Sequence, residues 1–518
     1  MRVGVDVGGT NTDAVLMHES DVLAKAKTTT TDDVIGGIVS AIGSVVEQHG
    51  VQRDAIEAVM IGTTHFTNAV VERRGLSRTA VLRLGLPATQ AVHPFEDWPD
   101  DLRDAIGGRG YLVHGGNEFD GRELSPLDER EIAQTIEAMV ADGVQAVAVS
   151  AVFSPVTSAM EERAREIIAR LAPNLDVTLS HQIGRLGLLE RENAAAINAS
   201  LRNLASATIA SFQASLERLE ISAQLYLTQN DGTLIRAGAA KRFPALTFAS
   251  GPTNSMRGAA FLSGIADGLV LDVGGTTSDI GALVRGFPRE SFVGARFADV
   301  RTNFRMPDLI SLGLGGGSIV RDGATRIGPD SVGAHLAERA LVFGGDTLTA
   351  TDLAVAAGHA DIGERAKVAH VDGALVAAGI TLIHATLEDA LDRMKLSRDP
   401  VPVVVVGGGS SLAGEHIAGS QATVRPAHFE VANAVGAAIA QVSGEVDRIY
   451  PVAEGRERAI ATARKDAIAQ AVANGAGPET IEIVDIDDLP VPYMEASMLR
   501  VRVKAVGDLL TLSTLQRS

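Results

Sequence analysis

Residues 3–16 read VGVDVGGTNTDAVL, and residues 269–282 read LVLDVGGTTSDIGA. At a constant offset, Asp6 matches Asp272, Gly8 and Gly9 match Gly274 and Gly275, Thr10 matches Thr276, and Asp13 matches Asp279. A repeat so widely spaced is not a short-period solenoid; it predicts two related domains, each opening with the same unit. Each unit has an apolar run, then Asp-x-Gly-Gly-Thr, then a second β-rich run, which predicts a hairpin turning on Gly-Gly-Thr. Glycine there lets the backbone adopt positive φ and approach a ligand closely. Successive N–H groups in such a turn form an anion nest. Thr10, Thr12, Thr276 and Thr277 add hydroxyl donors. Asp6 and Asp272, at the ends of their first strands, stand where a Mg²⁺ between phosphates, or an attacking water, needs an oxygen ligand.

A third glycine turn follows the buried-strand run Val403 to Val406, as Gly407-Gly408-Gly409-Ser410-Ser411. A strand entering such a turn before a helix presents N–H groups to a ligand. No acidic residue sits at the spacing of a dinucleotide fingerprint, and no Gly-Lys-Ser/Thr makes it a Walker loop.

Two Asp-x-Gly-Gly-Thr hairpins, the late Gly-Gly-Gly-Ser turn and the small-residue stretch ANAVGAAIA at 432–440 resemble the superfamily of actin, sugar kinases and heat-shock chaperone ATPases. Within it, the chain resembles the hydantoinase/oxoprolinase family, in the short form of its ATP-using alpha (HyuA-type) subunit. The segments carrying this are GTTHFTNAVVE from Gly62, DGRELSPLD from Asp120, LLERENAAAINASL around Glu190 to Glu192, FASGPTNS around Ser250, LGLGGGSI from Leu312, and TATDL from Thr349. The chain departs from the family at His65, where a small residue is usual, and after Pro329, where SVGAHLAERALVFGG replaces a Gly-Pro-rich stretch.

The resemblance implies an α/β fold of two duplicated ribonuclease-H-like (actin-type) lobes around a nucleotide cleft. The expected boundaries are 1–185 for the first lobe, with an insertion loop at about 83–125, 186–450 for the second, and 451–518 for a small C-terminal accessory region of helix and strands. It implies ATP and Mg²⁺, with Asp6 and Asp272 binding the metal or orienting the attacking oxygen. Gly8, Gly9, Thr10, Asn11 and Thr12 would hold phosphates, as would Gly274, Gly275, Thr276 and Thr277. Gly407, Gly408, Gly409 and Ser410 would face the nucleotide, with Gly315 and Gly316 in a further candidate loop. The implied activity is ATP-dependent hydrolysis of a cyclic amide such as a hydantoin, oxoproline or another lactam, with a beta-type (HyuB-like) partner subunit and an oligomeric assembly. A small-molecule kinase and a nucleotide-gated assembly protein need the same loops and stay open as alternatives.

The histidines suggest a further metal. His93, Glu96 and Asp97, with His114 downstream and Asp32 and Asp33 upstream, offer two imidazoles plus carboxylates, a set that Zn²⁺ or another divalent ion accepts. The charge balance narrows the partners. With 46 Lys and Arg against 64 Asp and Glu, the chain is expected to repel phosphate backbones and anionic lipid, so neither nucleic acid nor membrane is an expected partner. The absence of cysteine excludes disulfides, thiolate zinc sites, iron–sulfur clusters and cysteine nucleophiles. An opening of MRVGVDVGG has no apolar leader region, and the expected compartment is the cytoplasm.

Overall fold

The computed structural model describes residues 1–8, 11–29, 34–291, 296–451, 455–490 and 498–510. Three sheets carry the architecture. In each of the two larger ones, the repeated unit forms the central hairpin. The strand Arg2–Val7 runs antiparallel to Asn11–His18 and parallel to Ala58–Thr63. The strand Gly268–Val273 runs antiparallel to Ser278–Val284 and parallel to Val401–Val406. These are two α/β lobes built on one plan. The parallel neighbours, AVMIGT and VPVVVV, are buried over most of their length, which is why they read as nearly continuous apolar runs rather than alternating ones.

The sheets do not follow the boundaries expected from sequence. The first sheet has nine strands and also takes in Gln224–Thr228, Thr233–Arg236, Gln441–Pro451, Met498–Gly507 and Glu482–Pro490. The C-terminal region is therefore an edge of the first lobe, not an accessory unit: Gln441–Pro451 and Met498–Gly507 pair along their whole length. The helix Arg456–Asn474 packs there through Ala459, Ala463, Ala467 and Ala471, a one-face alanine stripe.

The expected insertion loop at 83–125 is instead part of a third sheet. Strands Arg109–His114, Thr79–Leu86, Ala146–Ala151 and Asp176–Leu179 are all parallel. The prolines and glycines that read as breakers fall in the connections. Pro87 directly follows the strand Thr79–Leu86, Pro99 precedes the helix Asp100–Ala105, and Gly115 and Gly116 follow Arg109–His114 at φ of 149° and 95°.

The long helix Leu188–Arg218 contains neither glycine nor proline and joins the third sheet to the first lobe. Arg83 and Glu192 form a fully buried ion pair, with Nε–Oε2 at 2.7 Å and Nη2–Oε1 at 2.5 Å. Arg191 donates to the Ala151 carbonyl at 2.6 Å and to Ser180 Oγ at 2.8 Å. The Glu190-Arg191-Glu192 segment therefore works as a joint between the sheet and the helix. Among the described residues one helix, Gly373–Met394, is long and apolar enough by length and composition to cross a membrane. Here it packs Ile383, Leu387 and Leu391 into the core of the second lobe.

Two elements couple the lobes. Helices Ser250–Ser263 and Ala432–Ala438 cross at Gly258 and Gly436, where the backbones touch. A Cβ on Gly436 would lie 1.8 Å from the Asn254 carbonyl oxygen, and one on Gly258 the same distance from that of Ala432. In addition, the excursion between Phe287–Pro288 and Leu309–Leu312 reaches into the first lobe. There Phe297 stacks on Phe248 at 4.1 Å and Phe304 meets the same ring edge-on at 5.5 Å.

Candidate functional site

The two hairpins are closed alike: Gly8 N donates to Asn11 O at 3.0 Å, and Gly274 N donates to Thr277 O at 2.9 Å. Register then sets the chemistry. Asp6 lies directly opposite Asp13, and Asp272 directly opposite Asp279. Cross-strand partners share a face, so each hairpin presents two carboxylates side by side, an arrangement that costs stability unless something compensates it.

Glycines bring the other turns against these hairpins. Gly407, at φ 89°, follows the strand parallel to Gly268–Val273; a Cβ there would stand 2.2 Å from Asp272 Oδ1. On Gly409 it would stand 2.7 Å from the Gly274 carbonyl oxygen. Gly316 N and Gly317 N donate to Gly274 O and Gly275 O at 3.0 and 2.7 Å, so the 313–317 loop braces the second hairpin turn from behind.

All of this faces one cavity of about 790 Å³ between the lobes. Asp6 and Asp13 are each only 4% exposed, while Asp272 and Asp279 remain partly open. Asn254 Nδ2 donates to Asp6 Oδ1 at 2.9 Å, and Asn433 Nδ2 donates to Asp6 Oδ2 at 3.1 Å and Asp13 Oδ2 at 2.9 Å. Both asparagines come from the two crossing helices, so that joint is wired to the first hairpin. Lys27 pairs with Asp13 at 3.1 Å.

Burial pushes the Asp6 carboxyl up to about 6, against the pull of Asn254. Burial likewise raises Asp272 to about 7, with Ser255 pulling it down and Asp279 and Asp6 adding to the rise. Asp13 is raised by burial and held back by Lys27; Asp279 is raised by burial and held back by its hydrogen bond from Ser311. Lys27 is the one cationic side chain among the described residues of this lining, set against Asp6, Asp13, Asp272, Asp279 and Glu430. The last of these pairs outside with Lys25.

This donor set is all oxygen and under-neutralised, which fits a hard divalent cation. Among the described residues no three Asp, Glu or His side chains converge tightly enough to hold a metal alone. That fits Mg²⁺, which keeps several waters and uses one or two carboxylates together with phosphate oxygens.

Most of the expected residues meet here. Gly8, Asn11, Gly274, Gly275, Thr276 and Thr277 line the cavity, as do Gly316 and Gly407 to Gly409. Gly9 and Thr10 lie outside the described residues. Three expectations are corrected. Thr12 is fully buried and its Oγ1 approaches Gly37 beneath the hairpin. Ser410 is buried behind the wall, and Ser411 takes its place on the lining. Gly315 packs on the backbone of Gly275 and Thr276 and is a spacer. His65 also stays off the lining, which its neighbours Thr64 and Asn68 reach.

The expected zinc site is not supported. His93 is exposed; His114 sits on a strand with Nδ1 held 2.9 Å from both Glu131 oxygens; Asp33 lies outside the described residues. Sequence reasoning passed over Lys27, Asn254 and Asn433 as site residues. The last two lie inside segments already singled out, FASGPTNS and ANAVGAAIA.

Comparison with known proteins gives the family and the fold. The hydantoinase/oxoprolinase N-terminal region matches residues 2–172, and the hydantoinase/oxoprolinase domain matches residues 191–365. The chain belongs to the hydantoinase/oxoprolinase family. An uncharacterized protein of Methanocaldococcus jannaschii is 28% identical over 389 residues, covering 68% of this chain and 55% of that protein. The acetophenone carboxylase gamma subunit of Aromatoleum aromaticum is 26% identical over 395 residues, covering 69% and 53%. The chain thus spans about half the length of the curated relatives it matches. Among solved structures, the ATP-dependent caprolactamase of Pseudomonas jessenii superposes with a TM-score of 0.78 at 19% identity, covering 98% of this chain and 88% of that one. Nucleotide-free acetone carboxylase superposes at 0.71 and 17% identity, with the same coverage. At such identities these two structures establish the shared fold.

Proposed function

We propose that the cleft binds MgATP and that this family member phosphorylates the carbonyl oxygen of a cyclic amide, opening the ring by hydrolysis. The observation that carries this is the pair of carboxylate-bearing hairpins and the third glycine turn facing one cavity with a single lysine. Asp6 and Asp272 would hold the Mg²⁺, which when bound spreads charge over the phosphate oxygens. Asn11, Gly275, Thr276 and Thr277 on the two hairpins would grip the phosphates, and Gly407 to Gly409 would let the nucleotide approach the backbone. Catalysis here is positioning and charge stabilisation.

The γ-phosphoryl group moves to the amide oxygen as its bond to ADP breaks. Water adds at the activated carbon, the C–N bond breaks to give an acyl phosphate and an amine, and a second water releases phosphate. The sum is one ring amide, one ATP and two waters giving an amino acid, ADP and phosphate. The caprolactamase structure supports an amide substrate. The acetophenone carboxylase subunit favours a second reading, in which a ketone oxygen is phosphorylated ahead of carboxylation. A beta-type partner subunit is part of the proposal in either case.

The test is phosphate release from MgATP, with and without the partner, against lactams, hydantoins, oxoproline, and ketones with bicarbonate. Stimulation by a ring compound that disappears in Asp6→Ala and Asp272→Ala supports the amide reading, and stimulation by a ketone alone supports the second. Turnover indifferent to every compound and to both substitutions refutes the assignment.

A further inference from the structure

Among the described residues of its lining, the cleft sets five carboxylates against one cation, Lys27. MgATP is itself anionic, so what Lys27 does when the nucleotide arrives decides how well the cleft can hold it.

Lys27 lies on the strand Asp21–Thr29, directly opposite Asp13 on the neighbouring strand. Cross-strand partners share a face, and Lys27 Nζ stands 3.1 Å from Asp13 Oδ1 and 3.3 Å from Oδ2. Among the described residues Asp13 is the one partner of this ammonium, which has donors to spare. The side chain stays 37% exposed and lines the cavity.

The second lobe meets it from the other side. Gly408 is the exposed middle residue of the third glycine turn, and a Cβ on it would stand 3.6 Å from Lys27 Nζ. Lys25, two residues earlier and on the same face, holds the strand in this place by pairing with Glu430. That residue adjoins the turn, because Gly407 N donates to the Phe429 carbonyl at 2.9 Å. The ammonium therefore fills the space in front of Gly408, which a nucleotide needs if it is to approach that backbone. Its charge reaches both hairpins as well: burial raises Asp6, Asp13 and Asp272, and Lys27 pulls all three back.

Two partners thus compete for this side chain. A part-exposed ion pair with Asp13 contributes little. Phosphate oxygens offer the same ammonium stronger, charge-assisted bonds, and its flexible stem lets Nζ swing from one to the other.

We propose that Lys27 changes partners when nucleotide binds, leaving Asp13 for the phosphate oxygens in front of Gly408. Asp13 and the nucleotide then compete for one cation, and that competition sets nucleotide affinity. The proposal rests on the MgATP reading of the cleft and adds to it the residue that adjusts the binding.

Calorimetry of the full chain with the magnesium complex of a non-hydrolysable ATP analogue tests it. Lys27→Met keeps an apolar stem without the charge and should weaken binding about ten-fold or more, since charge-assisted bonds are lost. Lys27→Arg should recover part of that loss. Asp13→Asn keeps an oxygen for Asn433 and frees Lys27, so it should tighten binding about three-fold or more. A lysine that merely steadies the hairpin predicts the same sign for both, because both substitutions break one pair. Lysine acylation mapped by mass spectrometry reads the contact without using affinity: the analogue should slow modification of Lys27 several-fold and leave Lys25 unchanged. Weaker binding in Asp13→Asn, unchanged binding in Lys27→Met, or equal acylation of Lys27 with and without the analogue would each overturn the proposal and leave the cleft a nucleotide site. A parent chain that does not bind the analogue would overturn it together with the MgATP reading.

Discussion

Replacing Asp272 by asparagine separates the electrostatic cost of the cleft from its chemistry. The carboxyl is raised from 3.8 to about 7, chiefly by burial, with Asp279 and Asp6 adding to it. A folded-state value above the unfolded one means that the native chain binds the proton more tightly. This group therefore favours folding fully below about pH 4, and that contribution is lost as pH rises through 7. Three units at about 1.36 kcal/mol each put the cost at pH 8 near 4 kcal/mol, and because part of Asp272 stays open to the cleft this is an upper bound. Asparagine keeps the shape and can still bond Ser255 without carrying charge. With an unfolding entropy of about 2.1 cal/mol/K per residue, relief of 2 to 4 kcal/mol raises the melting temperature by roughly 2 to 4 °C. Scanning fluorimetry of both proteins without divalent cations, from pH 5 to pH 8, checks this. The variant should melt higher at pH 8, keep less than about half of that advantage at pH 5, and lose MgATP turnover at both. Equal melting temperatures at pH 8, or an advantage independent of pH, would refute the reasoning.

Three further outcomes follow from the packing. Gly436→Ala places a Cβ 1.8 Å from the Asn254 carbonyl oxygen, so the crossing helices must separate. The expected cost is about 1–3 kcal/mol in urea denaturation, with turnover falling because Asn254 and Asn433 no longer hold Asp6. Glu192→Gln leaves Arg83 as an uncompensated buried cation and should cost about 3–5 kcal/mol by the same assay; a loss under about 1 kcal/mol would mean that solvent reaches the pair. Gly407→Ala is strained at φ 89° and drives a methyl onto Asp272, so calorimetric affinity for a non-hydrolysable ATP analogue should fall at least about ten-fold while the first lobe keeps its protection against hydrogen exchange.

The central hairpins were legible because their signals are local: an alternating valine strand, a glycine turn and a carboxylate lie within ten or so residues. What stayed hidden depends on contacts between distant segments. Asn254 and Asn433 reach Asp6 across 248 and 427 residues, and nothing in their own neighbourhoods marks them as ligands of that carboxylate. The C-terminal strands looked like a separate unit because sequence order says nothing about which edge of an earlier sheet is free. Residues 83–125 looked like a loop because Pro94, Pro99, Gly107 and Gly108 outweighed the short buried strand Thr79–Leu86 beside them. The paired histidines suggested zinc from residue type alone, and Glu131 had already taken one of them.

The way the first sheet gathers its strands also governs how the chain can be made. Thr233 and Ser443 share a hydroxyl hydrogen bond across 210 residues, and the whole second sheet lies between them. At synthesis rates of about 5–20 residues per second, the edge of Thr233–Arg236 waits roughly 10 to 40 s for its parallel neighbour. During that interval the second lobe can fold as an insert, while an unpaired strand edge of the first remains open to the wrong partner. This protein should therefore depend on chaperones before its C-terminal strands emerge, and slow translation across residues 268–424 should lower its yield more than slow translation elsewhere.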